Sequence, residues 1–83
     1  MIPMKDEILK NKEKIHTTEL GIKRVKKNLL LKTDDVVMYC IKLIENENSV
    51  VVKKGKNYYI NYDNIEITLN ASSFTIITAH IKS

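Results

Sequence analysis

Eighty-three residues suffice for a single domain, near the lower limit of what one hydrophobic core holds together. A hydrophobic fraction of 43% argues against a disordered chain, and the lone cysteine, Cys40, excludes an internal disulfide and a cysteine-built zinc site. The net charge of +4 is unevenly spread: residues 1–32 carry +5, residues 33–49 carry −3 and residues 50–83 carry +2. Two basic regions around an acidic patch favour a polyanionic partner, although lysine-rich surfaces also serve solubility.

The first candidate element is a short polar helix over about 4–13, with Pro3 near its first turn and Ile8 and Leu9 as apolar contacts. KIHTT (14–18) then breaks the pattern, and its two threonines suit a helix cap better than a helix interior. A second helix spans 18–30, capped by Thr17 or Thr18. Ile22, Val25 and Leu29 form its buried stripe, and Lys23, Arg24, Lys26 and Lys27 occupy the remaining surface. Glu19 in its first turn complements the helix dipole. A third helix is expected over 33–45, with Thr33 as cap, Asp34 and Asp35 in the first turn, and Val37, Cys40, Ile41 and Ile44 on one face. Cys40 reads as a small core residue.

From Ser49 the hydrophobic period changes to two. SVVVKK, a turn at GKN and YYINY form a β-hairpin over about 49–54 and 58–62, with Gly55 supplying left-handed backbone. Asp63 and Asn64 turn the chain into a third strand, 65–70, where Ile65, Ile67 and Leu69 alternate with polar residues. ASS (71–73) leads to a fourth, 74–81, apolar on both faces and therefore expected at a central position. The predicted fold class is α+β in one domain, 1–83. Two to three N-terminal helices pack on one face of a four-stranded antiparallel sheet. Tyr59, Asn61, Thr68 and Asn70 should lie on the other face. The pattern leaves the faces of Thr78 and His80 open, because Phe74 and Ile76 share their parity.

No metal-binding spacing accompanies the two histidines, His16 and His80, and the two glycines cannot build a phosphate-cradling loop. No cofactor is expected. MIPMKDEILK lacks the apolar core of a signal peptide, and no run is long enough to span a membrane, so a cytoplasmic location is expected. Metal-independent RNA cleavage has requirements that this chain meets. A 2′-hydroxyl must lose a proton, and the phosphorane needs cationic or hydrogen-bonding stabilisation. Histidine suits the proton transfer. Lys14, His16, Thr78 and His80 are the catalytic candidates; Lys23, Arg24, Lys27, Lys53, Lys56 and Tyr59 are candidates for binding nucleic acid. Each also has a plain structural use: His16 could bond a helix end, the hairpin lysines could be a solvated tip, and Tyr58 and Tyr62 share the core parity of Ile60.

HTTELGIKRVKKNL, GKNYY and LNASSFTIITAH, in this order and spacing, resemble a family of small bacterial and phage-borne proteins carrying a domain of unknown function. The likeness covers about residues 8–82 and implies no activity; Tyr58 stands where the family more often has tryptophan. A looser resemblance is to the metal-independent ribonucleases of the barnase–EndoU–colicin–RelE superfamily. That resemblance implies a toxin-type endoribonuclease with His16 as general base or acid, Lys14 and Arg24 on phosphate, and Thr78 as a hydrogen-bonding partner. The expected partners are RNA, such as tRNA, or a protein such as a cognate inhibitor. The alternative is a non-enzymatic phage or host inhibitor or regulator that grips its partner through the basic face. A homodimer pairing exposed sheet surfaces is a third expectation.

Overall fold

The computed structural model describes residues 4–82, so Pro3 lies outside the described residues. Three helices, α1 (Met4–Lys10), α2 (Glu19–Leu29) and α3 (Val36–Glu45), precede strands β1 (Val50–Lys54), β2 (Asn57–Tyr62), β3 (Ile65–Asn70) and β4 (Ile76–Ile81). The strands pair antiparallel in chain order, β1-β2-β3-β4. The helices cover one sheet face, with α2 against β4 and α1 against β1. Ile60, Ile67, Leu69, Ile76 and Ala79 of that face are buried with Ile8, Val25, Val36, Cys40 and Ile44 of the helices. Burial pushes the Cys40 thiol up to about 12, which suits a packed side chain and not a nucleophile.

The first helix is shorter than the sequence suggests. After Lys10 the chain tightens into a 3₁₀ turn over Lys12–Lys14, because Ile15 must leave helical geometry to bury its side chain beside the sheet. The second starts as its cap predicts: the Thr18 hydroxyl oxygen accepts from the Gly21 amide at 3.0 Å. The third begins later than expected. Asp35, not Thr33, caps it by accepting from the Met38 amide at 3.1 Å, while Thr33 accepts from the Asp35 amide one step earlier. Its buried stripe is consequently Val36, Cys40 and Ile44, with Val37 and Ile41 on its flanks.

Gly55 has the left-handed backbone expected of it, at φ 63°. β4 departs from expectation in two ways. It is the last strand of the four, not a central one, and its free edge is taken by a parallel bridge in which the His16 amide donates to Phe74 O at 3.1 Å and the Ile76 amide to His16 O at 2.8 Å. It also carries a bulge: Thr68 faces Thr78 and Leu69 faces Ile76, leaving Ile77 without a partner. That extra residue reverses the parity. Ile76 and Ala79 consequently point into the core, and Thr78 and His80 stand on the outer face opposite Thr68 and Glu66.

Candidate functional site

Strand direction brings two loops to one end of the sheet. The β1–β2 turn lies there because Lys54 pairs with Asn57 and Asn57 with Asn70, and the loop 71–75 follows Asn70 directly. The Ala71 amide ties them by donating to Lys56 O at 2.8 Å. A hollow between them is lined by Lys53, Gly55, Lys56, Ala71 and Ser72. His16 is bridged to the end of the 71–75 loop through Phe74 and Ile76.

The loop is organised by Asn70, whose side-chain oxygen accepts from the Ser72 and Ser73 amides at 3.0 and 2.9 Å. This is the local turn chemistry that makes asparagine frequent at such corners. Phe74 then adopts φ 58° to bury its ring and send Thr75 back along the sheet edge. A bulky residue in this region is uncommon and costs energy that the surroundings must offset. Here the offset comes from burial of the ring and from bonds by the Phe74 amide and carbonyl to Asn70 and His16.

His16 is exposed and held at both ring nitrogens. Nδ1 lies 2.8 Å from the Lys14 carbonyl and Nε2 lies 3.0 Å from the Thr75 hydroxyl. A carbonyl can only accept, so Nδ1 carries hydrogen; in the neutral ring Nε2 is then the acceptor for Thr75 Oγ1–H. The Ser73 hydroxyl lies 2.7 Å from Thr75 Oγ1 and 3.1 Å from Asn70 Oδ1, extending the chain of polar groups. An imidazole oriented by a carbonyl, with a hydroxyl on its free nitrogen, is an arrangement able to take up a proton.

The sequence candidates divide by position. His16 and the backbone of Lys14 are at this end, as are the hairpin residues Lys53 and Lys56. Lys53 extends over the Tyr58 ring, its Nζ 6.0 Å from the centroid. Lys23, Arg24 and Lys27 face solvent on α2, which runs beside β4 from Thr17, whose hydroxyl donates to Ile76 O at 3.0 Å, to Asn28, whose amide donates to Ala79 O at 3.1 Å. Among the described residues, none of these three forms an ion pair, whereas Lys26 is bonded to Asp34 and holds that carboxyl below its usual range. Thr78 and His80 are not brought to His16. His80 is five residues along the strand from Thr75, a separation of roughly 15 Å, and its Nε2 lies 3.7 Å from Glu66 Oε1. Tyr59 stands half-buried on the outer face, opposite Thr68.

Thr75, Ser73 and Asn70 were not site candidates from the sequence. Asn70 left a local signal, an asparagine followed by two near serines. The His16–Thr75 contact joins residues 59 apart and leaves none. Among the described residues, no three His, Cys, Asp or Glu side chains converge to hold a metal ion, and no helix is long and apolar enough to cross a membrane.

Residues 9–80 match the family model described as protein of unknown function, DUF3781. The chain belongs to the DUF3781 family. That match takes in α2, α3, β1 to β3, β4 as far as His80 and every residue of the His16 cluster, so the whole arrangement belongs to the DUF3781 domain. Neither curated proteins nor solved structures give a match, and the resemblance to the ribonuclease superfamily therefore has no structural counterpart among them.

Proposed function

We propose that this DUF3781 protein is a small RNA-binding protein that cleaves its RNA without a metal ion, in the manner of toxin endoribonucleases. The observation carrying this reading is the His16 ring, oriented by the Lys14 carbonyl and presenting Nε2 to a hydroxyl at 3.0 Å on an exposed end of the sheet. In the reaction, the substrate 2′-hydroxyl replaces Thr75 at Nε2 and gives up its proton there. The 2′-oxygen attacks the adjacent phosphorus, the bond to the 5′-oxygen breaks, and that oxygen takes a proton from water. The products are a 2′,3′-cyclic phosphate and a 5′-hydroxyl, and His16 returns its proton to solvent. Thr75 and Ser73 supply hydrogen bonds to the phosphorane oxygens.

Charge supports a path for the phosphate backbone. Lys53 and Lys56 lie at the same end of the sheet on its β1–β2 side, three strands from the His16 edge, and the exposed Lys23, Arg24 and Lys27 of α2 lie beside β4. Such contacts make affinity fall as salt rises. The test is expression of the wild type and His16→Ala in one host. Growth arrest with RNA fragmentation confined to the wild type is the expected outcome; equal growth and intact RNA in both count against cleavage.

The α2 cations favour one further reading, because they lie on a separate element from the His16 cluster. A non-enzymatic regulator gripping a polyanion through α2 retains binding in His16→Ala and loses it on charge reversal at Lys23 and Lys27. Whether RNA stays whole separates the two.

A further inference from the structure

The outer sheet face carries a shallow groove of about 590 Å³ lined by Val52, Lys54, Gly55, Tyr59, Asn61 and Glu66. We infer that this groove binds a nucleobase of the RNA whose backbone runs over the His16 end, stacked on Tyr59 and read along its edge by Asn61 and Glu66. The inference rests on the RNA reading and adds a specificity site to it.

Continuity is the first argument. Gly55 lines both this groove and the hollow that holds Lys53, Lys56 and Ser72, so one nucleotide can place its phosphate at the hairpin tip and its base on the sheet. The chemistry of the lining is the second. Val52 is 47% exposed beside the half-buried Tyr59, to which it is directly paired, giving an apolar and aromatic floor. Bases of any kind stack on such a floor.

Glu66 supplies the third argument. A carboxylate repels phosphate and accepts hydrogen bonds, so Glu66 suits the base of a nucleotide and not its phosphate. Its Oε1 lies 3.7 Å from His80 Nε2. Directly across the β2–β3 pair stands Asn61, whose side-chain oxygen already accepts from Lys82 Nζ at 2.6 Å. Its amide hydrogens are left with one long contact, to Tyr59 O at 3.5 Å. An acceptor beside a donor matches the edge of a nucleobase, where ring and exocyclic N–H groups adjoin acceptor atoms.

The test is titration of ¹⁵N-labelled protein with the four nucleoside 5′-monophosphates and with ribose 5-phosphate, in wild type, Tyr59→Ala, Tyr59→Phe and Glu66→Gln. None of these probes carries a phosphodiester next to its 2′-hydroxyl, so the result is independent of catalysis. Expected are shifts at Val52, Tyr59, Asn61 and Glu66 with every nucleotide, and affinity at least about fivefold weaker for ribose 5-phosphate. Tyr59→Ala loses that margin and Tyr59→Phe keeps it. The wild type ranks the four bases, and Glu66→Gln flattens the ranking. Equal affinity for ribose 5-phosphate and the nucleotides, or shifts confined to the sheet end, overturns the proposal even if RNA cleavage is found. Cleavage failing while the groove binds bases overturns only the enzymatic reading.

Discussion

His16 Nε2 lies 3.0 Å from Thr75 Oγ1, and the same two residues are joined through the backbone by a parallel bridge. The backbone bridge places residue 16 beside Thr75, and the ring's bonds to Lys14 O and Thr75 Oγ1 orient it there. Removing the ring leaves the bridge intact, which separates a loss of chemistry from a loss of structure.

Thr75→Val keeps the shape of the side chain and deletes the hydroxyl. A neutral hydrogen bond contributes about 0.5–1.5 kcal/mol, so cleavage should slow by roughly two- to tenfold with the melting temperature little changed. Thr75→Ser should retain activity. Initial rates on a fluorescent oligoribonucleotide check both, and a Thr75→Val enzyme as fast as wild type removes Thr75 from the mechanism.

Charge reversal at Lys23 and Lys27 should weaken RNA binding for every sequence tested and flatten its dependence on salt, because each phosphate contact contributes about 0.7 to the slope for a single strand. Binding isotherms across a salt series measure this. An unchanged slope would take the RNA off α2.

Gly21 is a close-approach position. A Cβ there would stand 2.0 Å from Thr17 Oγ1, the hydroxyl that donates to Ile76 O next to the His16 bridge. Gly21→Ala should therefore destabilise the domain by about 1–3 kcal/mol, as overpacking does, and shift the amide signals of residues 16, 17 and 76. Urea unfolding and an NMR spectrum report the two effects.

Leu30 ends α2 in the left-handed region at φ 55° with 81% of its surface exposed. The position is one that glycine fills at no steric cost, and a leucine gains little there from burial. Leu30→Gly should stabilise the domain by about 1 kcal/mol, read from the urea midpoint. Destabilisation would mean that the leucine is held by a partner or a second copy.

The periodicities made the α+β layering readable because both the helical stripes and the strand alternation are local. A threonine cap at 17 or 18, which the structure gives to Thr18, and Gly55 as the left-handed turn residue were readable for the same reason. The β4 bulge was not, since one unpaired residue, Ile77, changes no composition yet moves Thr78 and His80 to the outer face. The central position expected for that strand failed for a related reason: Ile77, left unpaired by the bulge, and Ile81 stay exposed, so the apolar run does not mark burial on both faces, and the strand's outer edge is bridged by His16. The site was half legible. His16 stood out as a residue that no cap requires, but its partner is set by a contact across most of the chain. Thr78 had been the expected hydroxyl, and Thr75 is the one that the geometry brings to the ring.

The most direct measurement is incubation of purified protein with labelled RNA in excess chelator, with analysis of the fragment ends and a parallel His16→Ala sample. Expected are fragments ending in 2′,3′-cyclic phosphate, no cleavage of a substrate carrying 2′-deoxyribose at the scissile position, and a rate at least about a hundredfold lower in His16→Ala. Intact RNA of every class with the wild type, or equal cleavage by both proteins, contradicts cleavage through His16.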